Sequence, residues 1–307
     1  MKILFFCSAN VTSGIGHLIR CHNIAEFLRK NKSLIVDISG NIDSHFIKSK
    51  GYNNIKIESS VVYEDYDVII FDSYSKEDYE IVKKLNLKKI AIDDLEIFDY
   101  QDWDLVINFR FKNHYKNYKA KKIITGLNFF PVNSFFTNLR KRHRGTKKIK
   151  NLFFYFGETK NIEITKKTLD IIGKYSDEYN FYIKSTYNSP LFTKINNENY
   201  HNLFSTSEMI IHGGGLTKYE SAYSKKFNIA FSLTRLQKED TEILAKFDLV
   251  KDMGNFTNFE TVLISSLDYL NKSNIFEDIL RFEDSSSNYF SDRSLENIAE
   301  EISKVIY

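Results

Sequence analysis

Short apolar runs, several of them followed by a segment with helical periodicity, recur along this 307-residue chain. Residues 3–6 have the length and composition of a buried strand, and the apolar residues between 17 and 29 fall on one face of a helix. Further strand-like runs stand at residues 68–71 and 90–92, and polar residues follow both of them. Because strands that alternate with helices form parallel sheets, the chain predicts an α/β fold.

The alternation begins again at residues 152–156, directly after a segment dense in Lys and Arg. We therefore predict two Rossmann-like, doubly wound domains at 1–139 and 151–307, joined by a solvated basic linker at 140–150. The periodic tail at 295–305 predicts a helix that packs against the body, with a return onto the first domain as one option. The other predicted strands are residues 34–38, 55–57, 105–107, 181–183, 203–204, 209–211 and 228–231.

Composition restricts the classes of function. Hydrophobic residues make up 42% and charged residues 27%, and the small formal net charge of +3 gives no argument for a general nucleic-acid or membrane-surface binder, although local charge matters more. The two cysteines, Cys7 and Cys21, are too few for a disulfide framework. No apolar run approaches the roughly 18 residues that span a bilayer. We expect a cytoplasmic protein without stable membrane insertion, a nucleic-acid partner or a metal, and the oligomeric state stays open.

A glycine-rich turn joins the first strand to the first helix. Gly14 and Gly16 lack side chains, so a ligand can approach the backbone closely, and the N–H groups at the helix start favour an anion such as phosphate. His17 stands at the edge of this turn as a candidate base, and Arg20 follows one helical turn later. A short Gly-x-Gly turn and a lone histidine are also common as structural features. The turn alone leaves both interpretations open.

Polar residues follow three of the predicted strands of the first half directly. They are Asp72, Tyr74, Asp93, Asp94 and Asn108. Because the carboxyl ends of parallel strands meet at one edge of a sheet, we expect these side chains to share a rim with the glycine-rich turn. This rim is the predicted place for substrate.

A second glycine-rich turn lies in the other half of the chain. It follows the strand at 209–211 and reads His212, Gly213, Gly214 and Gly215. Its backbone amides could hold a diphosphate, and His212 could contact the phosphate or make a structural hydrogen bond. Thr217 either caps the next helix or donates to a phosphate oxygen. Glu220, one turn into that helix, is either solvated or accepts hydrogen bonds from both ribose hydroxyls of a nucleotide.

Five segments, taken in order, resemble one enzyme family. They are residues 14–21 (GIGHLIRC), 71–74 (FDSY) with Tyr79 and Glu80, 93–95 (DDL), 104–108 (DLVIN) and 213–220 (GGGLTKYE). Together they resemble the UDP-sugar hydrolases of pseudaminic acid biosynthesis, a family related to spore-coat polysaccharide enzymes and to GT-B glycosyltransferases. The resemblance spans most of the chain, and the histidine turn and the DDL segment are its most specific parts. It implies a GT-B-like fold, in which two Rossmann-like domains face each other across a cleft.

The resemblance also implies a reaction. The family hydrolyses UDP-2,4-diacetamido-2,4,6-trideoxy-β-L-altropyranose to UDP and the free sugar, without a metal or other cofactor. Its motif histidine maps onto His17, which would activate the attacking water. Asp94, or as a second choice Asp72, would orient the imidazole. The nucleotide of this UDP-sugar is expected mainly on the second domain, at the glycine-rich turn and Glu220, with Gln237 nearby.

Three segments depart from the family pattern. Residues 156–160 place Glu158 where the family has a glycine-rich phosphate turn. Residues 129–136 lack an Arg and a Glu of the family, and Leu236 replaces the Asn of an Asn-Gln pair. These departures keep a second hypothesis open, a GT-B glycosyltransferase in which His17 deprotonates an acceptor hydroxyl. A non-catalytic sugar-nucleotide binding protein is a third hypothesis, disfavoured because His17 is retained.

Overall fold

The computed structural model describes nearly all of the chain. The described residues are 1–32, 34–111, 117–157 and 160–307. They form two compact units, of which the first combines Met1–Asn133 with Phe290–Tyr307 and the second is Ser134–Tyr289. Glu158, expected to place an acid in a phosphate turn, lies outside the described residues.

The first unit contains a six-stranded parallel sheet. Its strands are β1 (Lys2–Cys7), β2 (Ile35–Ser39), β3 (Val68–Asp72), β4 (Lys88–Ile92), β5 (Leu105–Asn108) and β6 (Ile123–Thr125). Their spatial order is β2-β1-β3-β4-β5-β6. Since β1 has β2 on one side and β3 on the other, the strand order reverses beside β1. Open α/β sheets bind ligands at the carboxyl ends of the strands at such a switch point.

The second unit repeats this plan with its own six-stranded parallel sheet. Its strands are β7 (Asn151–Tyr155), β8 (Asn180–Ile183), β9 (Thr193–Lys194), β10 (Met209–His212), β11 (Phe227–Ser232) and β12 (Lys251–Asn255). The spatial order is β12-β11-β10-β7-β8-β9. The switch point here lies between β7 and β10, so the second glycine-rich turn leaves the sheet at that point.

Helices connect the strands of both units. They are α1 (Gly16–Lys32), α2 (Ser44–Ser49), α3 (Lys76–Lys83), α4 (Ser134–Arg142), α5 (Lys166–Tyr175), α6 (Tyr200–Thr206), α7 (Leu216–Tyr223), α8 (Arg235–Ala245), α9 (Phe259–Leu270), α10 (Ile275–Tyr289) and α11 (Ser294–Ile306). The tail helix α11 packs within the first unit against α1, β4 and β5. Within the described ranges, none of the helices is both long enough and apolar enough to cross a membrane.

Burial explains why these segments form these elements. Every residue of β3 and of β10 is buried, as expected for strands covered on both faces of a parallel sheet. In α1 the residues Leu18, Cys21 and Ile24 are buried at helical spacing, which confirms the predicted apolar face. The predicted fold class, α/β with two parallel sheets, is confirmed.

Four predictions differ from the structure. Residues 55–57 belong to no strand. Residues 203–204 lie in α6, because a two-residue apolar run does not distinguish a strand from the buried face of a helix. The compact units also divide elsewhere than the predicted 1–139 and 151–307. The predicted linker at 140–150 begins inside α4, where Arg140 is buried.

Arg140 is buried at the C-terminal end of α7. Arg140 Nη1 donates to the carbonyl of Tyr223, the last residue of α7, at 2.8 Å, and to Ser286 Oγ at 3.0 Å. Ser286 Oγ in turn donates to the carbonyl of Ala222 at 2.5 Å. A guanidinium at a helix C-terminus satisfies carbonyls that lack partners and complements the helix dipole. The first residue of the predicted linker therefore anchors α4 to α7 and α10.

Candidate active site

The first glycine-rich turn is held by hydrogen bonds of its own. The side-chain oxygen of Asn10 accepts from the backbone N–H groups of Thr12 and Ser13, at 3.0 and 2.9 Å. Gly14 donates its N–H to the carbonyl of Asn10 at 2.8 Å and has φ of +72°, a conformation that favours glycine. A Cβ added at Gly14 would meet nothing within 4 Å, so the space beside it is open. The turn ends at Gly16, where α1 begins.

The imidazole of His17 pairs with the carboxylate of Asp72. His17 is in the first turn of α1 and Asp72 is the last residue of β3, so the switch point brings them together. His17 Nδ1 lies 2.6 Å from Asp72 Oδ1, and both side chains are buried. Because a carboxylate accepts, Nδ1 carries the hydrogen, and Nε2 has the lone pair. The polar contacts of His17 among the described residues involve Nδ1, which leaves Nε2 for a ligand.

Arg20 binds the other side of the same carboxylate. Its Nε donates to Asp72 Oδ2 and its Nη2 to Asp72 Oδ1, both at 2.5 Å, while Nη1 lies 3.1 Å from Asp94 Oδ1. Burial alone would raise the pKa of Asp72, but Arg20 and the paired His17 lower it to about 2. Burial acts to lower the pKa of Arg20, and Asp72 and Asp94 outweigh it and raise that pKa well above its usual value. Asp72 therefore stays ionised, and Arg20 stays charged, at neutral pH.

Asp94 is not the residue that contacts His17, contrary to the first-choice prediction. Its Oδ1 forms an ion pair with Arg20 and accepts from the hydroxyl of Tyr74 at 2.6 Å. The ring of Tyr74 then meets the imidazole edge-on, with ring centroids 4.3 Å apart. Asp72, the second choice, makes the direct contact because it ends β3, the strand that pairs with β1. Asp94 acts one step away, through Arg20 and Tyr74.

Asn108 is also placed differently from the prediction. It is fully buried, and its two amide atoms are occupied: Nδ2 donates to the hydroxyl of Tyr118 at 2.9 Å, and Oδ1 accepts from the N–H of Arg110 at 2.9 Å. Arg110 Nη1 donates to the carbonyl of Asp94 at 2.7 Å. Asn108 therefore shapes the chain that follows β5, and it supports the position of Asp94 through Arg110.

Asp93 is a buried carboxylic acid next to this cluster. Its Oδ1 accepts from the backbone N–H groups of Leu95 and Glu96 at 2.8 and 3.1 Å, which fixes the turn after β4. Burial raises the pKa of Asp93 to about 6, against the opposing effect of the Leu95 N–H and the further rise caused by Asp94. The same turn carries Asp94 toward Arg20.

Of the two roles predicted for His212, a phosphate contact or a structural hydrogen bond, the structure shows hydrogen bonds within the second unit. His212 is fully buried; its Nδ1 accepts from the N–H of Gly214 at 3.0 Å, and its Nε2 lies 3.0 Å from Asn228 Oδ1. Both ring nitrogens are thus used inside the second unit. Burial lowers the pKa of His212 to about 3, so the ring is neutral and holds the glycine-rich turn in shape.

The three glycines of this turn are glycines for different reasons. A Cβ on Gly213 would lie 2.6 Å from Leu233 Cδ1, so a side chain there would require Leu233 to shift. Gly214 has φ of +78°, which is strained for other residues. Gly215, the N-cap residue of α7, has φ of −78°, and its nearest neighbour to an added Cβ would be Gln237 Nε2 at 3.9 Å. Only at Gly215 does the space stay open toward a ligand.

Alanine at Gly214 and alanine at Gly215 should change the free energy of unfolding by different amounts. Gly214→Ala should lower the free energy of unfolding by about 1–2 kcal/mol, because alanine resists a positive φ. Gly215→Ala should change it by less than about 0.5 kcal/mol, since its φ is ordinary and the space is free. Urea denaturation measures both values. Equal losses for the two variants would contradict this reading of the turn.

The residues after the turn are Thr217, Glu220 and Gln237. Gly215, not Thr217, is the N-cap of α7, and a glycine has no side chain to cap the helix. Glu220 is partly exposed, and burial raises the pKa of its carboxyl to about 7. Gln237 Oε1 accepts from the N–H groups of Leu233 and Thr234 in a capping box at the start of α8. Gln237 therefore faces the turn while it holds α8.

Sequence reasoning missed a buried ion pair behind this turn. Lys218 and Asp240 pair with each other, and the hydroxyl of Tyr219 donates to both oxygens of Asp240 at 2.8 and 2.7 Å. All three side chains are buried. No local spacing indicates the pair, because α7 and α8 bring it together. It fixes α7, whose first residues follow the glycine-rich turn. Within the described residues, no group of three or more His, Cys, Asp or Glu side chains is arranged to hold a metal ion.

Two parallel sheets of this order define a GT-B-like fold. The chain is similar to Acinetobacter baumannii MurG, with a TM-score of 0.62 at 10% identity over 99% of each chain. It is similar to S. aureus MnaA, solved with UDP, with a TM-score of 0.63 at 11% identity over 98% of this chain and 95% of that one. The Streptomyces sp. SF2575 glycosyltransferase SsfS6, complexed with thymidine diphosphate, gives 0.59 at 9% identity, over 98% and 99%.

The sequence is also similar to one characterised relative. A Helicobacter pylori protein, pseudaminic acid cytidylyltransferase and UDP-2,4-diacetamido-2,4,6-trideoxy-β-L-altropyranose hydrolase, is 24% identical over 301 residues. The match covers 91% of this chain and 54% of the relative, so the chain spans about half the relative's length. No protein-family model matches the chain.

Proposed function

We propose that the chain hydrolyses a UDP-linked sugar, releasing UDP and the free sugar, with His17 as the base. The observation that supports this most is the buried His17–Asp72 pair at the switch point of the first sheet, with Nε2 left for a ligand. The proposed donor is UDP-2,4-diacetamido-2,4,6-trideoxy-β-L-altropyranose, on the basis of the motif resemblance and the hydrolase named in the H. pylori relative.

In the proposed step, His17 Nε2 takes a proton from water as the water oxygen attacks the anomeric carbon. The bond between that carbon and the UDP oxygen breaks, and the phosphate oxygen leaves with the electron pair. Asp72, held ionised by Arg20, stabilises the imidazolium that forms. His17 then returns its proton to solvent, and the products are UDP and the free sugar.

The second unit is proposed to hold the nucleotide. The N-cap residue of α7 is Gly215, which has no side chain to cap the helix, and a helix N-terminus of this kind favours a phosphate. Thr217 is in the first turn of α7 and Glu220 in the next, so a hydroxyl and a carboxylate follow the turn. Glu220 is the proposed acceptor for the ribose hydroxyls, and Gly215 is the proposed point of closest backbone approach.

The pH dependence of UDP binding tests Glu220. Its carboxyl has a pKa of about 7, and the ionised form offers both oxygens as acceptors to the ribose hydroxyls, whereas one oxygen of the protonated form is a donor. We therefore expect UDP affinity to rise by roughly tenfold between about pH 6 and about pH 8, as the binding-competent fraction rises. Glu220→Gln should bind UDP more weakly at high pH and lose this rise, measured by calorimetry. Any rise that remains in Glu220→Gln is due to the titration of UDP itself. If the rise in Glu220→Gln equalled that of the unmodified chain, Glu220 would not belong to the site.

Product analysis tests the reaction. The purified chain is incubated with the proposed donor, with and without a glycan acceptor, and free UDP and free sugar are quantified. Equal UDP release in both samples, with free sugar as the second product, is expected of a hydrolase. UDP release only with acceptor would establish the glycosyltransferase alternative. The absence of UDP release in both samples would reject this donor.

A further inference from the structure

A dense group of cations lies at the end of α4 and just after it, in the second unit. The exposed members are Lys141, Arg142, Arg144, Lys147 and Lys148. Among the described residues, no carboxylate forms an ion pair with any of them; Arg144 donates to the carbonyls of Lys141 and His143. Surface cations in folded proteins are usually interspersed with acids. Here they stand together and exposed, which is a feature that the proposed reaction does not use.

This segment is fastened to α10 rather than free in solvent. His143 Nε2 lies 2.9 Å from Glu283 Oε1, and the N–H of Thr146 donates to the same oxygen at 3.0 Å. Gly145 has φ of +81°, which lets the chain turn at that point. Glu283 thus fixes the cationic segment along one side of α10.

The same side of α10 carries exposed apolar residues. Leu280 is three residues before Glu283, and Phe276 is seven before it, so both lie on its side of the helix. Their relative exposures are 61% and 43%, which is high for large apolar residues. The side of α10 opposite Leu280 is buried through Ile275 and Phe282. Cations and exposed apolar side chains therefore adjoin on one surface, which we name the basic face: residues 141–148 together with Phe276 and Leu280.

We propose that the basic face docks the protein reversibly on an anionic lipid bilayer. Each Lys or Arg near such a surface strengthens binding by roughly fivefold, and the attraction falls off within a Debye length. Leu280 and Phe276 would enter the boundary between headgroups and acyl chains, as the apolar side of an interfacial helix does. The exposed acids Glu277 and Asp284 on α10 oppose the attraction, so the association is weak and reversible.

A bilayer fits this face better than a nucleic acid does. Proteins that bind single-stranded nucleic acids interleave aromatic side chains with cations. Phe276 is the one Phe, Tyr or Trp of the basic face, and it lies on α10, outside the cationic segment 141–148. An exposed leucine beside the cations gains nothing on a phosphate backbone, whereas it gains by entering lipid. Charge and apolar character together therefore favour the lipid surface.

Vesicle co-sedimentation of the full chain tests the proposal. The probes are vesicles of phosphatidylcholine alone and of equal parts phosphatidylcholine and phosphatidylglycerol. We expect binding to the anionic vesicles only, and release as the ionic strength rises from about 0.1 M to about 1 M. The variant Arg144→Gln/Lys147→Gln/Lys148→Gln should bind on the order of 10²-fold more weakly. Its UDP release from a soluble donor should match that of the unmodified chain.

Two further variants make the result specific. The matched control Lys32→Gln/Lys76→Gln/Lys84→Gln removes the same charge from exposed lysines of the first unit and should bind nearly as well as the unmodified chain. Leu280→Gln keeps the charge and should weaken vesicle binding severalfold. Equal binding to both vesicle types, or equal loss in the two triple variants, would overturn the proposal. Retention of a nucleic-acid duplex instead of anionic vesicles would overturn it in favour of nucleic acid.

Discussion

His17→Ala should lower the rate of UDP release by about 10²–10⁴ and leave UDP affinity nearly unchanged. Loss of a general base typically has this cost. UDP affinity should persist because the proposed nucleotide contacts, at Gly215 and Glu220, belong to the second unit. The rate is measured by product release at saturating donor, and the affinity by calorimetry with UDP.

The matched control for this experiment is His45→Ala. His45 is an exposed histidine of α2, in the same unit, and it has no part in the proposed chemistry. Its turnover should equal that of the unmodified chain. If folded His17→Ala kept near-normal turnover on a donor that the unmodified chain hydrolyses, His17 would not be the base. A rate loss equal to that of His17→Ala in the His45 variant would show that the assay reports folding and not catalysis.

The sequence predicts the rim of the first sheet because parallel strands end at one edge. Asp72, Asp93 and Asn108 each follow an apolar run, and the strands that carry them are neighbours in the sheet. The particular carboxylate that meets His17 is not predictable from those spacings. It depends on the pairing of β3 with β1, which places Asp72 opposite Cys7. Asp94 stands after β4, one strand further away, although it looks equivalent in the sequence.

The second glycine-rich turn, at residues 212–215, has features that the sequence does not distinguish. Three consecutive glycines indicate close backbone contacts, but packing against Leu233, a positive φ and ligand access look identical in sequence. The sequence leaves two roles open for His212 and does not identify its partner, because Asn228 lies on β11, the strand next to β10. A polar residue inside an apolar strand such as β11 is the one signal that could have indicated a buried partner.

Charge density misled the prediction of a linker. Lys and Arg are typical of solvated segments, and residues 143–150 indeed form neither helix nor strand. Arg140 is the exception because its partners, Tyr223 and Ser286, are far away in sequence. A long-range hydrogen-bond network of this kind leaves no periodic trace.

Asp72→Asn and Asp93→Asn each remove a carboxylate charge from the first unit. At neutral pH they should change the free energy of unfolding in opposite directions. Asp72→Asn leaves the buried Arg20 without its main partner, and such a loss typically costs about 3–5 kcal/mol of unfolding free energy. The folded-state pKa of Asp72, about 2, lies below its unfolded value of ~3.9. The stabilisation from ionised Asp72 is therefore present above about pH 4 and is lost as the pH falls through about 2.

Asp93→Asn should instead stabilise the fold at neutral pH. Asp93 is only 2% exposed, and its folded-state pKa of about 6 lies above the unfolded value of ~3.9. Its contribution to stability is therefore fully present below about pH 4 and is lost as the pH rises through about 6. Two pKa units correspond to about 3 kcal/mol. Asparagine keeps an oxygen for the N–H groups of Leu95 and Glu96 and cannot ionise, so the variant escapes this loss.

Urea denaturation at about pH 4 and about pH 7 checks the pair of variants, with the difference from the unmodified chain taken at each pH. For Asp93→Asn the difference should be near zero at the lower pH and favour the variant by about 3 kcal/mol at the higher one. For Asp72→Asn the difference should favour the unmodified chain at both. A pH-independent difference for Asp93→Asn would mean that Asp93 does not change ionisation in this range. If Asp72→Asn were more stable than the unmodified chain, the ion pair with Asp94 alone would be sufficient for the buried charge of Arg20.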